Sequence, residues 1–247
     1  MSEKNVKEYY IKKKGKLLKT FEERLEIARE LLSKKFDNLK VNEIINQIKL
    51  EYEQIIPEIP YIGGQKNPTT QVLIKCVSNL ALFRILEKNG FSFNEIGEFH
   101  YHFSIGNHKI RKEALQKAGR DPSLYPFDTV YLDYQKKLTE ATQKRMYSYD
   151  WVMDFVEGDG KSFAWGWDVY ECGVQKVFKK LGDEKYLPLI CLGDHYEAEA
   201  LGFGFTRTKT LGFGASMCTH RFVKNYKTPR AWPPQKLKEF NAEFWNK

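Results

Sequence analysis

The residues best suited to chemistry lie between positions 172 and 222, where three of the four cysteines occur together with acidic, basic and imidazole side chains. The side chains of interest are those of Cys172, Cys191, Asp194, Arg207, Thr210, Cys218, His220 and Arg221. A thiolate is a nucleophile, a carboxylate or an imidazole can move protons, and a guanidinium can bind an anion through two parallel hydrogen bonds. These residue types predict nucleophilic or acid–base catalysis on a small substrate.

Local spacing places some of these side chains next to each other. Cys191 and Asp194 are three residues apart, which makes them neighbours on one face of a helix. Cys218 and His220 are two residues apart in a strand pattern, so they share one face of a sheet. If the helix packs over the end of that sheet, the four side chains converge, with Cys172 nearby at a strand-to-helix junction.

Each of these residues also has an ordinary structural explanation. Cysteine is among the most buried residue types, so packing alone explains any single one of the three, although we expect at least one to be functional. Arg207 either packs its stem on aromatic rings or clamps a substrate carboxylate. Asp194 follows an apolar run and needs a partner, which could equally be a structural arginine or a backbone N–H. Thr210 belongs to a tight loop that could present backbone N–H groups to a ligand.

A zinc site is the alternative use of the same side chains. Two thiolates, an imidazole and a carboxylate can bind zinc, but the spacings C-x-x-D and C-x-H match no established zinc pattern. We therefore predict no metal and no cofactor.

Hydrophobic periodicity predicts a helical first half of the chain. A capping box at Thr20-x-x-Glu23 predicts a helix over 21–36, and a second helix carries an apolar stripe from Val41 to Ile55. Asn67-Pro68 predicts the start of a third helix that ends at Gly90. Two shorter helices over 93–103 and 107–118 should follow, and then a longer one that begins at Asp128.

The periodicity changes after residue 149. Alternating patterns over 151–156 and 163–170 flank Gly158-Asp159-Gly160 and predict a hairpin, and a second strand pair is expected over 203–210 and 216–223. Helices are expected from Gly173 to Gly182 and over 186–201. The predicted fold is α+β, with a helical N-terminal half packed on a mostly antiparallel sheet of about four strands. The predicted regions are a basic arm (1–20), a helical region (21–146), an α+β region (147–223) and a tail (224–247), all in one compact domain.

The net charge of +8 is concentrated at the ends of the chain. Residues 1–20 carry seven lysines and two glutamates, and residues 224–247 carry six cations and two acids, so the body between them is close to neutral. Nucleic-acid sites usually form a basic face on a folded body, so we expect no nucleic-acid partner. No run of about 20 apolar residues and no secretory signal is evident, so we expect a cytoplasmic protein without membrane contact. Its partner should be a small-molecule substrate, and assembly into a homo-oligomer is left open.

Three spaced groups resemble the motifs of the L-2-amino-thiazoline-4-carboxylic acid hydrolase family. They are Cys172-Gly173, Pro188-x-x-Cys191-x-x-Asp194, and the series from Arg207-x-x-Thr210-Leu211 through Gly214 to Cys218. The resemblance is best over residues 150–223. It implies a bacterial, cytoplasmic enzyme that opens a cyclic amidine-like thiazoline ring to give N-carbamoyl-cysteine. His220 departs from the pattern, since the family usually has an aromatic residue there.

The resemblance suggests roles for the residues. Water or a cysteine thiolate would attack the ring carbon, with Cys218 preferred over Cys191 and Cys172, while Asp194 would move the protons. Arg207, or else Arg221, would hold the substrate carboxylate. His220 would add an acid–base group or signal a changed substrate. The alternatives are an enzyme of the same fold that closes a ring or transfers a group, and a non-catalytic ligand- or metal-binding protein.

Overall fold

The computed structural model describes residues 3–245, with side chains from residue 8 onward. The chain divides into two compact units, residues 1–103 and 104–247. The first unit is helical, and the second contains an antiparallel sheet with helices, so the predicted α+β class is confirmed. The number of independent domains stays a prediction.

The first unit is built from amphipathic and buried helices: α1 (Glu3–Leu32), α2 (Asn38–Ile55), α3 (Thr69–Lys88) and the first part of α4 (Phe93–Lys117). The predicted apolar stripe of α2 is buried throughout, and Asp37 caps the helix by accepting a hydrogen bond from the Lys40 backbone N–H. Asn67 accepts from the Thr69 N–H at 3.1 Å, which helps to begin α3 close to the predicted position.

Two predicted boundaries in the first unit are wrong. Helix α1 begins long before Thr20, and Tyr10, within the segment assigned to a basic arm, is fully buried. The helix is already formed at the pattern Thr20-x-x-Glu23, which therefore lies in its interior. The two helices predicted over 93–103 and 107–118 are one continuous helix, α4, because Gly106 between them is accommodated without a break.

Helix α3 is long and apolar enough to cross a membrane by length and composition alone, contrary to the expectation from the sequence. In the structure 67% of its most apolar window is buried. Buried core helices of soluble proteins meet the same criterion of length and composition, so one such helix is weak evidence for a membrane span.

The second unit alternates helices and strands around one sheet. Its elements are α5 (Thr129–Thr142), β1 (Val152–Glu157), β2 (Trp165–Glu171), α6 (Gly173–Leu181), α7 (Leu187–Cys191), α8 (Gly193–Leu201), β3 (Gly204–Arg207), β4 (Cys218–Val223) and α9 (Ala242–Trp245). Among the described residues the strand order is β1-β2-β4-β3, and all neighbours are antiparallel. Both predicted strand pairs are confirmed, whereas the helix predicted over 186–201 is divided into α7 and α8 at Leu192.

Aromatic packing joins the strands β1, β2 and β4. Trp165 is 1% exposed and stacks between Phe222, at 4.1 Å between ring centroids, and Phe155, at 5.5 Å. Burying such rings removes a large apolar area from water and adds specific ring geometry. The register of β3 on β4 places Phe205 opposite Phe222 and Arg207 opposite His220. The aromatic core therefore continues directly into the polar residues singled out in the sequence.

Helix α5 buries polar rather than apolar residues. Asp128 caps it as predicted, but Val130 is 76% exposed, while Gln135, Thr139 and Thr142 are buried. The hydroxyl of Thr142 accepts a hydrogen bond from the Met153 N–H at 3.0 Å, which attaches the helix to β1. Tyr131 and Leu132 of the same helix are partly buried and pack against the cluster around Trp165.

Candidate active site

Arg207, at the end of β3, is the centre of a buried polar network. Its side chain is 1% exposed, and its Nε and Nη2 donate to Glu239 Oε1 at 3.0 and 2.8 Å. Nη1 donates to Asp194 Oδ2 at 2.8 Å and lies 3.4 Å from His220 Nε2, while Nη2 also donates to the Cys191 carbonyl at 2.7 Å. All three nitrogens of the guanidinium therefore have protein partners.

These hydrogen bonds differ from those expected for Arg207 as a clamp on a substrate carboxylate. A substrate carboxylate would have to displace Asp194 or Glu239 to bind the guanidinium in two-pronged geometry. The substrate-binding role of Arg207 stays a prediction that the geometry does not favour. The observed arrangement makes Arg207 the cation that holds two carboxylates and the end of α7 in place.

Glu239 is a member of the network that the sequence analysis missed. Its side chain is 0% exposed, and Oε1 also lies 2.9 Å from His195 Nε2. Burial raises the pKa of Glu239, but the charge of Arg207 and the hydrogen bond with His195 outweigh it and lower the pKa overall. The residue lies in the Pro-rich C-terminal segment, where no local pattern distinguishes it from a surface glutamate.

Asp194 differs from Glu239 because it reaches solvent. Its side chain is 50% exposed, although Oδ2 is bound by Arg207 and lies 3.1 Å from His220 Nε2. Desolvation by the surrounding atoms raises the pKa of Asp194. The hydrogen bond and charge of His220, together with the charge of Arg207, outweigh this effect and lower the pKa overall. Asp194 is therefore an anchored carboxylate that stays ionised and is accessible to a small molecule.

His220 completes a carboxylate–imidazole pair with Asp194. The ring is buried beside Trp167, 5.8 Å away between centroids, and its Nδ1 has no hydrogen-bond partner among the described residues. The indole Nε1 of Trp167 is likewise buried without a partner there. Buried polar atoms are normally satisfied, so each of these two atoms is a candidate partner for a water or a substrate group.

Two of the predicted cysteines lie beside this pair. Cys218, at the start of β4, accepts a hydrogen bond from the Leu211 N–H at 3.3 Å and lies 3.4 Å from Thr210 Oγ1. Cys191 is close enough for its electrostatic interaction with Cys218 and Arg207 to affect its pKa. The structure thus brings Cys191, Cys218 and Thr210 together.

Burial makes both thiols poor nucleophiles. It raises the pKa of Cys191 and of Cys218, and the nearby Arg207 charge only partly offsets this effect. The thiolate is the reactive form of cysteine, and a raised pKa leaves little of it at neutral pH. The environment therefore favours these thiols as neutral groups that shape the site.

Of the remaining predicted residues, Cys172 lies at the edge of the candidate active site and Arg221 lies away from it. Cys172 is at the start of α6, next to the end of β2, and interacts electrostatically with Cys191. Arg221 points to the face of β4 opposite His220, where it donates to the Trp167 carbonyl at 3.1 Å and pairs with Asp168 at 2.8 Å. Arg221 therefore joins β4 to β2, and its role as a second choice for the substrate carboxylate stays a prediction.

The backbone at Gly212 packs closely against the side chain of Cys191. The short 3₁₀ turn Leu211–Phe213 begins at Thr210, whose hydroxyl accepts from the Gly212 N–H at 3.4 Å. A methyl group at Gly212 would lie 2.5 Å from Cys191 Sγ, so only glycine fits. Within residues 3–245 no group of three or more His, Cys, Asp or Glu side chains has the geometry to hold a metal ion.

The site lies almost entirely within a region shared with a known family. The sequence model of the L-2-amino-thiazoline-4-carboxylic acid hydrolase family matches residues 79–222, which is more than half of the chain. The chain belongs to this family, and a hydrolase-type function follows at the family level. No curated protein and no solved structure matches the chain. Glu239 lies outside the matched range.

Proposed function

We propose that this protein hydrolyses a small cyclic amidine-like ring, with 2-amino-thiazoline-4-carboxylate as the first substrate to test and N-carbamoyl-cysteine as its product. The observation that supports this proposal best is the half-exposed Asp194 carboxylate, held by buried Arg207 and paired with His220. Family membership supplies the reaction class.

Water rather than a thiolate is the proposed nucleophile, because burial raises the pKa of both nearby thiols. The ring carbon between two nitrogens and the sulfur is electrophilic. The water oxygen would form a bond to this carbon while the Asp194–His220 pair accepts one water proton.

Collapse of the tetrahedral intermediate then breaks the carbon–sulfur bond. The former water oxygen becomes the carbonyl of the product, one water proton ends on the ring nitrogen and the other on the departing sulfur. Asp194 stays ionised because of its lowered pKa, so His220 is the group that carries the proton between steps. The hydrogen-bond distance of 3.1 Å between His220 Nε2 and Asp194 Oδ2 supports this role.

Single substitutions at the site test the proposal. Asp194→Asn should lower kcat by about 100-fold or more, the usual contribution of a positioned acid–base group. Cys218→Ser keeps a small neutral group at this position and should retain measurable turnover, because water and not the thiolate is the proposed nucleophile. The measurement is the release of the product thiol from 2-amino-thiazoline-4-carboxylate, with folding checked by circular dichroism.

Asp133→Asn, at an exposed position of α5, is the matched control and should retain full activity. Full activity of Asp194→Asn would reject the proposal, and complete loss of activity in a folded Cys218→Ser variant would favour the thiolate over water as the nucleophile. Turnover of another sulfur- or nitrogen-containing metabolite by the wild-type protein, without any thiazoline hydrolysis, would favour ring closure or group transfer by the same residues instead.

A further inference from the structure

The helical first unit contains a cavity that the proposed hydrolase chemistry does not use. It has a volume of about 330 Å³ and is lined by residues of α1, α2, α3 and the turn at 64–66. Its size is at the lower end of the range of small-molecule sites. Four cations line it, Lys13, Lys16, Arg24 and Lys75, and no aspartate or glutamate is among the described lining residues.

Arg24 is the most constrained of these cations. Its Nη1 donates to Ser78 Oγ at 2.7 Å and its Nη2 to Asn79 Oδ1 at 2.6 Å, and the guanidinium lies 5.3 Å from the centre of the Phe103 ring. Both acceptors are neutral. Burial lowers the pKa of Arg24 to about 10, so the side chain stays charged at neutral pH in a partly desolvated place.

Two of the described lysines of α1 form ion pairs at the surface. Lys12 pairs with Glu8 at 3.2 Å, and Lys14 pairs with Glu53 at 2.6 Å. Lys13 instead faces the cavity, where its Nζ donates to the Tyr9 hydroxyl at 2.7 Å and lies over that ring. Tyr9 therefore holds the ammonium group of Lys13 at the cavity.

The remaining walls provide both apolar contact and neutral polar groups. Leu17, Phe21 and Ile74 are apolar, and the side chains of Gln65 and Gln71 carry amide donors. A site with several cations, amide donors and an apolar wall suits an anion that carries an organic body. Four cations favour a dianion over a monoanion, because each added charge adds Coulomb attraction.

We propose that this cavity binds a small phosphate monoester whose organic body contacts the apolar wall. The phosphate lies among Arg24, Lys13, Lys16 and Lys75, and the body lies against Phe21 and Ile74. This site is independent of the Asp194–His220 pair.

Isothermal titration calorimetry on the full-length protein at low ionic strength tests the proposal with phenyl phosphate as the probe. We expect saturable binding of phenyl phosphate. Its binding should be tighter than that of inorganic phosphate, which lacks the organic body, and tighter than that of benzoate, which lacks the second negative charge. The double variant Lys13→Gln/Lys16→Gln should weaken phenyl phosphate binding by about tenfold or more, since two charges near the phosphate are removed.

The matched control is Lys12→Gln/Lys19→Gln, which removes the same charge from the same helix outside the cavity and should leave binding unchanged. These lysine variants keep the bonds of Arg24 to Ser78 and Asn79, so folding is retained. Absence of saturable binding, equal weakening in both double variants, or benzoate binding as tight as that of phenyl phosphate would overturn the proposal. Because binding is measured directly, the result does not depend on hydrolase activity.

Discussion

One buried arginine determines how the candidate active site is held. Arg207 has two carboxylate partners, and these differ in exposure: Glu239 is fully buried and Asp194 is half exposed. A buried ion pair contributes little net stability, but removal of one partner leaves an uncompensated charge in the interior. Glu239 therefore neutralises Arg207 from the inside, which leaves Asp194 on the accessible side for chemistry.

Glu239→Gln should destabilise the protein by about 2–4 kcal/mol, because the buried guanidinium loses its interior counter-charge while one amide oxygen remains to accept a hydrogen bond. The measurement is the midpoint of urea unfolding. The matched control is Glu243→Gln at an exposed position of the same segment, which should change stability by less than about 0.5 kcal/mol. Equal effects of the two substitutions would show that the Arg207–Glu239 contact is not a stabilising feature.

At the level of elements, three pieces of backbone position the site. Strands β3 and β4 place Arg207 opposite His220, and the start of α8 places Asp194 beside both. The turn Leu211–Phe213 crosses close to the end of α7, where Gly212 packs against Cys191. The site therefore depends on packing between elements more than on any one of them.

Gly212→Ala should destabilise the protein by about 1–3 kcal/mol, the usual cost of overpacking, because the new methyl group meets Cys191 Sγ at 2.5 Å. Thermal or urea unfolding measures this effect. Gly193→Ala is the matched control, since a methyl group there has nothing within 4 Å and the residue lies in α8. Alanine should leave that helix unchanged or slightly more stable. An unchanged midpoint for Gly212→Ala would mean that the turn moves freely away from α7.

At the level of the whole molecule, the buried polar network makes stability depend on pH. Burial, the largest influence on His195, lowers its pKa, and the hydrogen bond with Glu239 only partly opposes this effect. The unfolded chain therefore binds more protons than the folded one below the ordinary histidine pKa of about 6.5, so stability falls as the pH falls through that range. Glu239 makes the stability of the folded state fall further as the pH drops below about 4.3, because its pKa in the folded state is lowered.

The free energy of unfolding should therefore decrease between pH 7 and pH 5, and His195→Gln should reduce this slope because the titrating group is removed. Urea unfolding at a series of pH values measures it. His102→Gln, at an exposed position, is the control and should keep the wild-type slope. A steeper slope in His195→Gln than in the wild type would contradict this account.

Local sequence patterns were sufficient to predict many of the helices and strands. The stripe of α2, the cap at Asp128, the two strand pairs and the helix from Gly173 to Gly182 are all present, because each depends on periodicity or capping within a few residues. The start of α1 and the continuity of α4 were not predictable in this way. Tertiary packing overrode the local signals there, as it does at Tyr10, which is fully buried in the segment predicted to be a solvated arm.

The sequence by itself determined the family and the residues of interest, because the motif spacing is local and the alternation along a strand puts Cys218 and His220 on one face of β4. Only the tertiary structure decided what Arg207 contacts, since its partners lie 13 and 32 residues away along the chain. The same is true of Glu239, which resembles any surface glutamate until the C-terminal segment folds back and buries it. Burial and long-range charge pairing arise from the whole fold, and they decide which side chains hold the site and which can react.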